Sequence, residues 1–220
     1  MTNDTHTAVL PEAIYDDLRS SVIAQESPPG SLVTESAVAT RFGVSRQTAK
    51  VAIEKLVAEG ILRREAHRAA RVPLLTADDI VDLFDNRAVV ECAAIASLAQ
   101  SGLVPAEAIA AHRALVASVD TDLPFAQDDI AFHRALVAGQ PSPRLARMHG
   151  LLMGEIELCI GQVQSQGLVA PLDIVAQHQG ILDAAYAGDT DLAIARTREH
   201  IHSSRDKLLA RYDLEHQKEA

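Results

Sequence analysis

The sequence predicts a mainly α chain in two parts, and three observations carry that prediction. Of its 220 residues 48% are hydrophobic but only 3% aromatic. An apolar mass of Ala, Leu, Val and Ile suits close-packed helices better than sheets. From Thr76 onward no strand-like alternation occurs, and helical periodicity is interrupted only at Pro and Gly. Charge divides at the same point: residues 1–75 carry nine Lys or Arg and nine Asp or Glu, whereas residues 76–220 carry eleven against twenty-one. A chain of this length holds two modest domains, each with its own core. The expected division is a mobile tail over 1–9, a first domain over 10–75 and an all-helical second domain over 76–220.

Residues 1–9 (MTNDTHTAV) are polar and aperiodic, hence the tail. Pro11 opens a first helix, in which Ile14, Leu18 and Val22 recur at spacings of four and form one apolar stripe. Ser27-Pro28-Pro29-Gly30 ends it. Thr34 then caps a short helix whose stripe is Ala37, Val38 and Phe42. Gly43 breaks that helix, and Ser45 caps a second with the stripe Ala49, Ala52, Ile53, Leu56 and Val57. Two helices across so short a turn make a helix-turn-helix. Gly60 closes the second helix, and ILRR and ARVPL are short enough to be strands of a hairpin tipped by EAHRA. The first domain is therefore read as a winged helix-turn-helix. Behind it, helices are expected near 76–101, 105–118, 124–138, 143–166, 171–187 and 189–215, with Asp78, Pro105, Pro124, Pro143 and Pro171 at or near their starts. The linker, 73–77, is short enough to transmit motion.

The formal net charge of −10 speaks against a polyanionic partner only if it is averaged over the chain. Residues 41–71 hold eight basic side chains against three acidic ones, so the helix-turn-helix and its hairpin are locally basic. With Ser45 as cap, Arg46, Gln47 and Lys50 lie on the first turns opposite the Ile53 and Leu56 stripe, where a recognition helix meets base edges. Arg suits bidentate contact with guanine and Gln with adenine. Ser45, Thr48, Arg68 and Arg71 are placed to contact phosphate, which fixes register without reading sequence. The same residues would also suit an ordinary solvated helix face.

The run LRSSVIAQESPPGSLVTESAVATRFGVSRQTAKVAIEKLVAEGIL resembles the DNA-binding domain of the GntR regulators, where a PPG-x-x-L turn precedes the helices and GVSR opens the recognition helix. The likeness covers residues 14–73. It implies a regulator that binds double-stranded operator DNA as a homodimer. Two departures stand out: Thr48-Ala49-Lys50 replaces the family's Pro-Val-Arg, and Ala69 or Ala70 stands where the wing has a glycine. Lys50 is a point charge rather than a fork, so operator preference differs from the family's usual half-site.

In the second domain Asp129 and His133 are four apart on one predicted helix and project from one face. His178 lies ten residues before Gly188 and His200 twelve after it, at depths of roughly 15 and 18 Å along an antiparallel pair. One carboxylate and three imidazoles at one level of a bundle suit a divalent transition metal, zinc foremost, with nickel or manganese as alternatives. A local Asp–His salt bridge fits the first two residues equally well. His202, two residues from His200, lies on another face and is excluded, as are His112 and His149, which have no matching partner in register. Arg87, with Glu91 at i+4, is either half of a surface ion pair worth under about 1 kcal/mol or a cavity-facing cation.

Residues 78–210 resemble the helical effector domain of the FadR-like GntR subfamily through DLFDNRAVVECAAIASLA, DDIAFHRALV and QHQGILDAAYAGDTDLAIARTREHI. The resemblance implies Asp129, His133, His178 and His200 as metal ligands. It also implies Arg87, with Arg134 as a second candidate, as contacts to the carboxylate of a small organic-acid effector. The full ligand set argues against an acyl-CoA effector. No CxxC spacing links Cys92 and Cys159, which read as buried thiols, and no apolar run reaches a membrane span, so a cytoplasmic protein is expected. The reading is thus a ligand-responsive regulator, in the repressor sense, and not an enzyme. Its alternative is a metal-dependent helical enzyme with an appended nucleic-acid module, an open coordination site being compatible with catalysis. No general base pairs with the cluster, and no Ser or Cys nucleophile with a positioned His supports that alternative.

Overall fold

A computed structural model describes residues 4–119, 125–163 and 171–216. The chain divides into two compact units, one of residues 1–76 with 157–164, the other of 77–156 with 165–220.

In the first unit α1 (Asp4–Ile23) packs against α3 (Arg46–Ala58), and α2 (Glu35–Phe42) also packs on α3. The stripe Ile14, Leu18 and Val22 is buried, as are Ala49, Ala52, Ile53 and Leu56 of α3. Truncating a fully buried Leu or Ile to Ala removes about 2–5 kcal/mol, so α3 is anchored by its apolar face and its other face is free for contact. Thr34 Oγ1 accepts from the Ala37 amide at 3.2 Å and Ser45 Oγ from the Thr48 amide at 3.1 Å, so both expected N-caps form. Gly43, at φ 65°, closes α2 in the left-handed region that a side chain resists.

Four expectations for this unit need correction. Helix α1 begins at Asp4, not Pro11, so residues 4–9 of the expected tail are helical; residues 1–3 lie outside the described residues. Proline costs a helix interior one hydrogen bond and bends it, without necessarily ending it. Ala37 is exposed and Ala39 takes its place in the α2 core, a one-position rotation of a stripe only eight residues long. Val57 is only half-buried, because the α3 core closes on Leu56 before the helix ends. The predicted hairpin is reduced to a single bridge in which Arg63 and Arg71 exchange N–H···O bonds of 2.9 Å. Leu62 donates instead to Leu56 O at 3.2 Å, which ties ILRR to the end of α3, and Pro73 has no amide to offer.

The strand partner of β2 (Ala70–Arg71) is β1 (Leu32–Val33), antiparallel with Leu32 opposite Arg71. The Pro28-Pro29-Gly30-Ser31 turn aims β1. Ser31 N donates to Pro28 O at 3.0 Å, Pro29 supplies the preset φ, and Gly30 at φ 82° occupies the position that requires a positive value. Gly30 N and Val72 N then lock the turn to the strand through bonds to Val72 O and Ser31 O.

The second unit contains α4 (Ala77–Ser101), α5 (Ala106–Ser118), α6 (Phe125–Ala138), α7 (Pro143–Gln162) up to residue 156, α8 (Pro171–Tyr186) and α9 (Thr190–His216); the remainder of α7 belongs to the first unit. These are the six helices the periodicity predicts. Pro124 and residues 164–166, expected as a helix start and a helix end, lie outside the described residues. Helix α4 is central, packing against α6, α8 and α9. Its buried face runs from Ile80 through Phe84, Arg87, Glu91 and Ile95 to Leu98. Ile95, Leu98, Phe132, Leu136, Ile181 and Leu182 form the apolar core, above which the polar residues of α4, α6, α8 and α9 gather. Both cysteines are buried, and no disulfide joins them.

Candidate functional site

On the first unit, Ser45, Arg46 and Gln47 are exposed at the start of α3, while Thr48 and Lys50 are half-buried. Thr48 Oγ1 lies 2.8 Å from Ser45 Oγ, so the two hydroxyls work as one cap. Lys50 Nζ is 3.6 Å from Glu54, a loose pair that an external anion can displace. Arg68 and Arg71 are exposed on the wing, with Arg68 3.1 Å from Glu65. A groove of about 320 Å³ brings Thr34 and Ser36 of the α2 start together with Arg46, Arg64 and Arg68. Arg64 is a groove cation that sequence reasoning missed. The signal was present in the adjacent pair Arg63-Arg64, of which only one could face the groove.

In the second unit Asp129, His133, His178 and His200 converge, with one ligand atom from each within 4.8 Å of all the others. Helix α6 carries the first two at i and i+4, and α8 and α9 bring the histidines across the turn at Gly188. His133 Nε2 is 3.0 Å from His200 Nε2, His178 Nε2 is 3.3 Å from His200 Nε2, and Asp129 Oδ1 is 3.3 Å from His178 Nε2 and 3.8 Å from His133 Nε2. All three imidazoles are buried. Phe132 stacks on the His178 ring at 4.0 Å and holds its orientation.

The tautomers decide what this cluster can bind. His133 Nδ1 lies 2.7 Å from Glu91 Oε2, and His200 Nδ1 lies 2.7 Å from Gln177 Oε1. Both outer partners are acceptors, so each Nδ1 donates and each Nε2 presents a lone pair. Burial, reinforced by neighbouring positive charge, lowers the pKa of both rings, which keeps them neutral. Two lone pairs therefore face each other at 3.0 Å, and the buried Asp129 Oδ1 has no hydrogen bond. Donor atoms around a four-coordinate ion at about 2.1 Å sit roughly 3.4 Å apart, and the observed separations bracket that figure. The residues present fit a divalent transition metal.

Sequence reasoning missed the group behind the cluster. Glu91 is 2% exposed and receives Arg87 Nε at 2.7 Å and His149 Nε2 at 2.9 Å on Oε1, while Oε2 takes His133. Burial alone would raise this carboxyl; the Arg87 guanidinium and the two histidine donors hold it well below the usual carboxylate range. The Arg87–Glu91 pair is thus buried rather than on the surface. Arg87 Nη2 is buried without a hydrogen-bond partner. His149, excluded for want of a partner in register, has one in Glu91. The i,i+4 spacing of Arg87 and Glu91 was the available signal, but spacing alone does not tell which face a helix buries. Arg134 is half-buried beside His133, His202 lies 3.6 Å from Asp85, and His112 lies 3.1 Å from Gln179.

Residues 10–72 match the family described as "Bacterial regulatory proteins, gntR family", and residues 82–203 match the "FCD domain". A relative from Paenarthrobacter nicotinovorans, named "Probable D-xylose utilization operon transcriptional repressor", is 28% identical over 90% of this chain and 87% of its own length. The HTH-type transcriptional regulator BphR of Paraburkholderia xenovorans is 25% identical over 88% of this chain and 82% of its own. The solved structure of E. coli McbR/YncC superposes with a TM-score of 0.74 at 19% identity, covering 92% of this chain and 98% of that one, and so shares the fold. The FCD match spans more than half of the chain and the gntR match covers the segment before it: the chain belongs to the GntR family of bacterial regulatory proteins, as a transcription regulator with an FCD domain.

Proposed function

We propose that this regulator is a cytoplasmic, homodimeric, ligand-responsive repressor whose helical unit holds a divalent transition metal, zinc foremost, and a small carboxylate metabolite. The observation that carries the reading is the approach of His133 Nε2 to His200 Nε2 at 3.0 Å with Asp129 Oδ1 3.3 Å from His178 Nε2, an arrangement whose facing lone pairs a cation neutralises. Asp129, His133, His178 and His200 would hold the ion. Arg87 supports an effector that brings a strong acceptor: its Nη2 is buried without a hydrogen-bond partner, and a carboxylate oxygen would accept from it more strongly than a hydroxyl, although Glu91 already balances the guanidinium charge. Arg134 is the second cation assigned to the effector. The repressor sense follows the name of the Paenarthrobacter relative. Ser45, Arg46, Gln47, Thr48 and Lys50 on α3, with Arg68 and Arg71 on the wing, form the proposed operator contact.

A ligand alters DNA affinity only through its differential affinity for two arrangements of the protein. The test is direct. Metal content of the purified protein is measured for wild type and for the H178A/H200A double variant, and an operator selected from a random pool is titrated with and without a panel of small carboxylates. Wild type is expected to hold about one metal per chain, and at least one acid to shift operator affinity by about 5–150-fold. The double variant should lose both properties while still binding the operator. Sequence-independent DNA binding by the wild type would sink the regulator reading, and wild type without metal would sink the metal reading.

A further inference from the structure

We propose that Glu91 is the positioning residue of the metal cluster: as an anion pinned by Arg87 and His149, it fixes His133 in the tautomer whose Nε2 is bare toward Asp129, His178 and His200. This rests on the metal reading above and assigns a task to a residue outside the ligand set.

Three donors meet this carboxylate, and their chemistry is unequal. Arg87 always carries its Nε proton, so the Oε1 position must accept. His149 Nε2 meets the same oxygen at 2.9 Å. Oε2 is left to His133 alone, at 2.7 Å. An ionised carboxylate only accepts, so His133 is forced to donate from Nδ1, and its lone pair falls on Nε2, the atom 3.0 Å from His200 Nε2. Glu91 is 2% exposed and His133 0%, so no water competes for either atom. A neutral ring otherwise chooses between tautomers, and the wrong one places a hydrogen where a metal would bind.

The substitution Glu91→Gln exposes this logic because it changes one atom. Its amide oxygen must face Arg87, since an NH2 group there would oppose a proton that cannot leave. The NH2 group then replaces Oε2 and faces His133 Nδ1. That contact is satisfied only if the His133 proton moves to Nε2, toward the cluster. Shape and volume are retained, and ligand access is blocked.

Two measurements test the proposal on the full-length protein. Metal-free wild type is analysed by long-range ¹H–¹⁵N correlation of its histidine rings, and zinc affinity is measured against a chromophoric chelator for wild type and E91Q. Expected are a proton on His133 Nδ1 in the wild type, its transfer to Nε2 in E91Q, and about 10–100-fold weaker zinc binding by E91Q with an unchanged circular dichroism spectrum. A merely structural role for Glu91 would not move the proton. A wild-type His133 protonated at Nε2 overturns the proposal, as does an E91Q protein that binds zinc as tightly as wild type. Wild type that fails to bind zinc at all overturns the metal reading itself, and the role of Glu91 with it. If E91Q does not fold, the wild-type tautomer decides.

Discussion

A buried histidine held neutral is a latent acid sensor, and burial holds three described histidines of the helical unit in that form. His133, His149 and His200 all have pKa values lowered by burial, so in the fold they remain neutral below the ordinary value of about 6.5. In the unfolded chain they take up protons there. The unfolded state thus binds more protons once the pH drops below about 6.5, and stability falls as the pH falls. Each such group contributes up to about 1.4 kcal/mol per pH unit until its folded pKa is reached. Glu91, held low by Arg87, adds the same sign further down, below the ordinary carboxylate value of about 4.3. We expect the thermal midpoint of metal-free protein to drop markedly between pH 7.5 and pH 5.5. A flat midpoint across that interval would show that these rings are not buried neutral in solution.

At the level of the element, the recognition helix depends on its first turn as much as on its apolar face. Ser45 satisfies the Thr48 amide, and Ser45→Ala should cost about 1 kcal/mol of stability of the first unit. Because the cap also orders the turn that presents Arg46 and Gln47, operator binding should weaken more than global unfolding predicts. Chemical denaturation set beside operator titration separates the two, and equal losses would reduce Ser45 to a cap alone. The same scale shows what the sequence could disclose. The six helices of the second unit were legible because 13- to 27-residue elements repeat their period several times. The pairing of β1 with β2 was not: two-residue strands contain no alternation, and their partners stand 37 to 39 positions apart. The facing of His178 and His200 followed from helical geometry across one turn and that of Asp129 and His133 from i,i+4 spacing, whereas the joining of the two pairs was implied by the family resemblance. Glu91 was not legible, because only its Arg87 contact is local: His133 on α6 and His149 on α7 stand 42 and 58 positions away, where no local spacing relates them to it.

For the whole molecule the question is how a chain of net charge −10 binds a polyanion. Its charge is segregated: residues 1–75 balance to zero, the acidity lies in residues 76–220, and the basic excess is concentrated in residues 41–71. Binding driven by that patch releases counterions, and log affinity should fall linearly with log salt at a slope of about −0.9 per phosphate neutralised. Arg68 and Arg71, exposed on the wing, are assigned to phosphate, so Arg68→Ala and Arg71→Ala should each reduce the slope by about 1 and weaken binding to all sequences alike. Arg46, proposed to read a base, should behave differently: Arg46→Ala should cost about 1–3 kcal/mol on the selected operator and far less on unrelated DNA. Fluorescence anisotropy of wild type and the three variants, each on operator and on scrambled duplex over a range of salt, separates the two roles. A salt slope near zero would mean that the global charge, not the local patch, governs the encounter. Equal losses for Arg46→Ala on both duplexes would move that residue to the phosphate contacts, leaving Gln47 and Lys50 to read the operator.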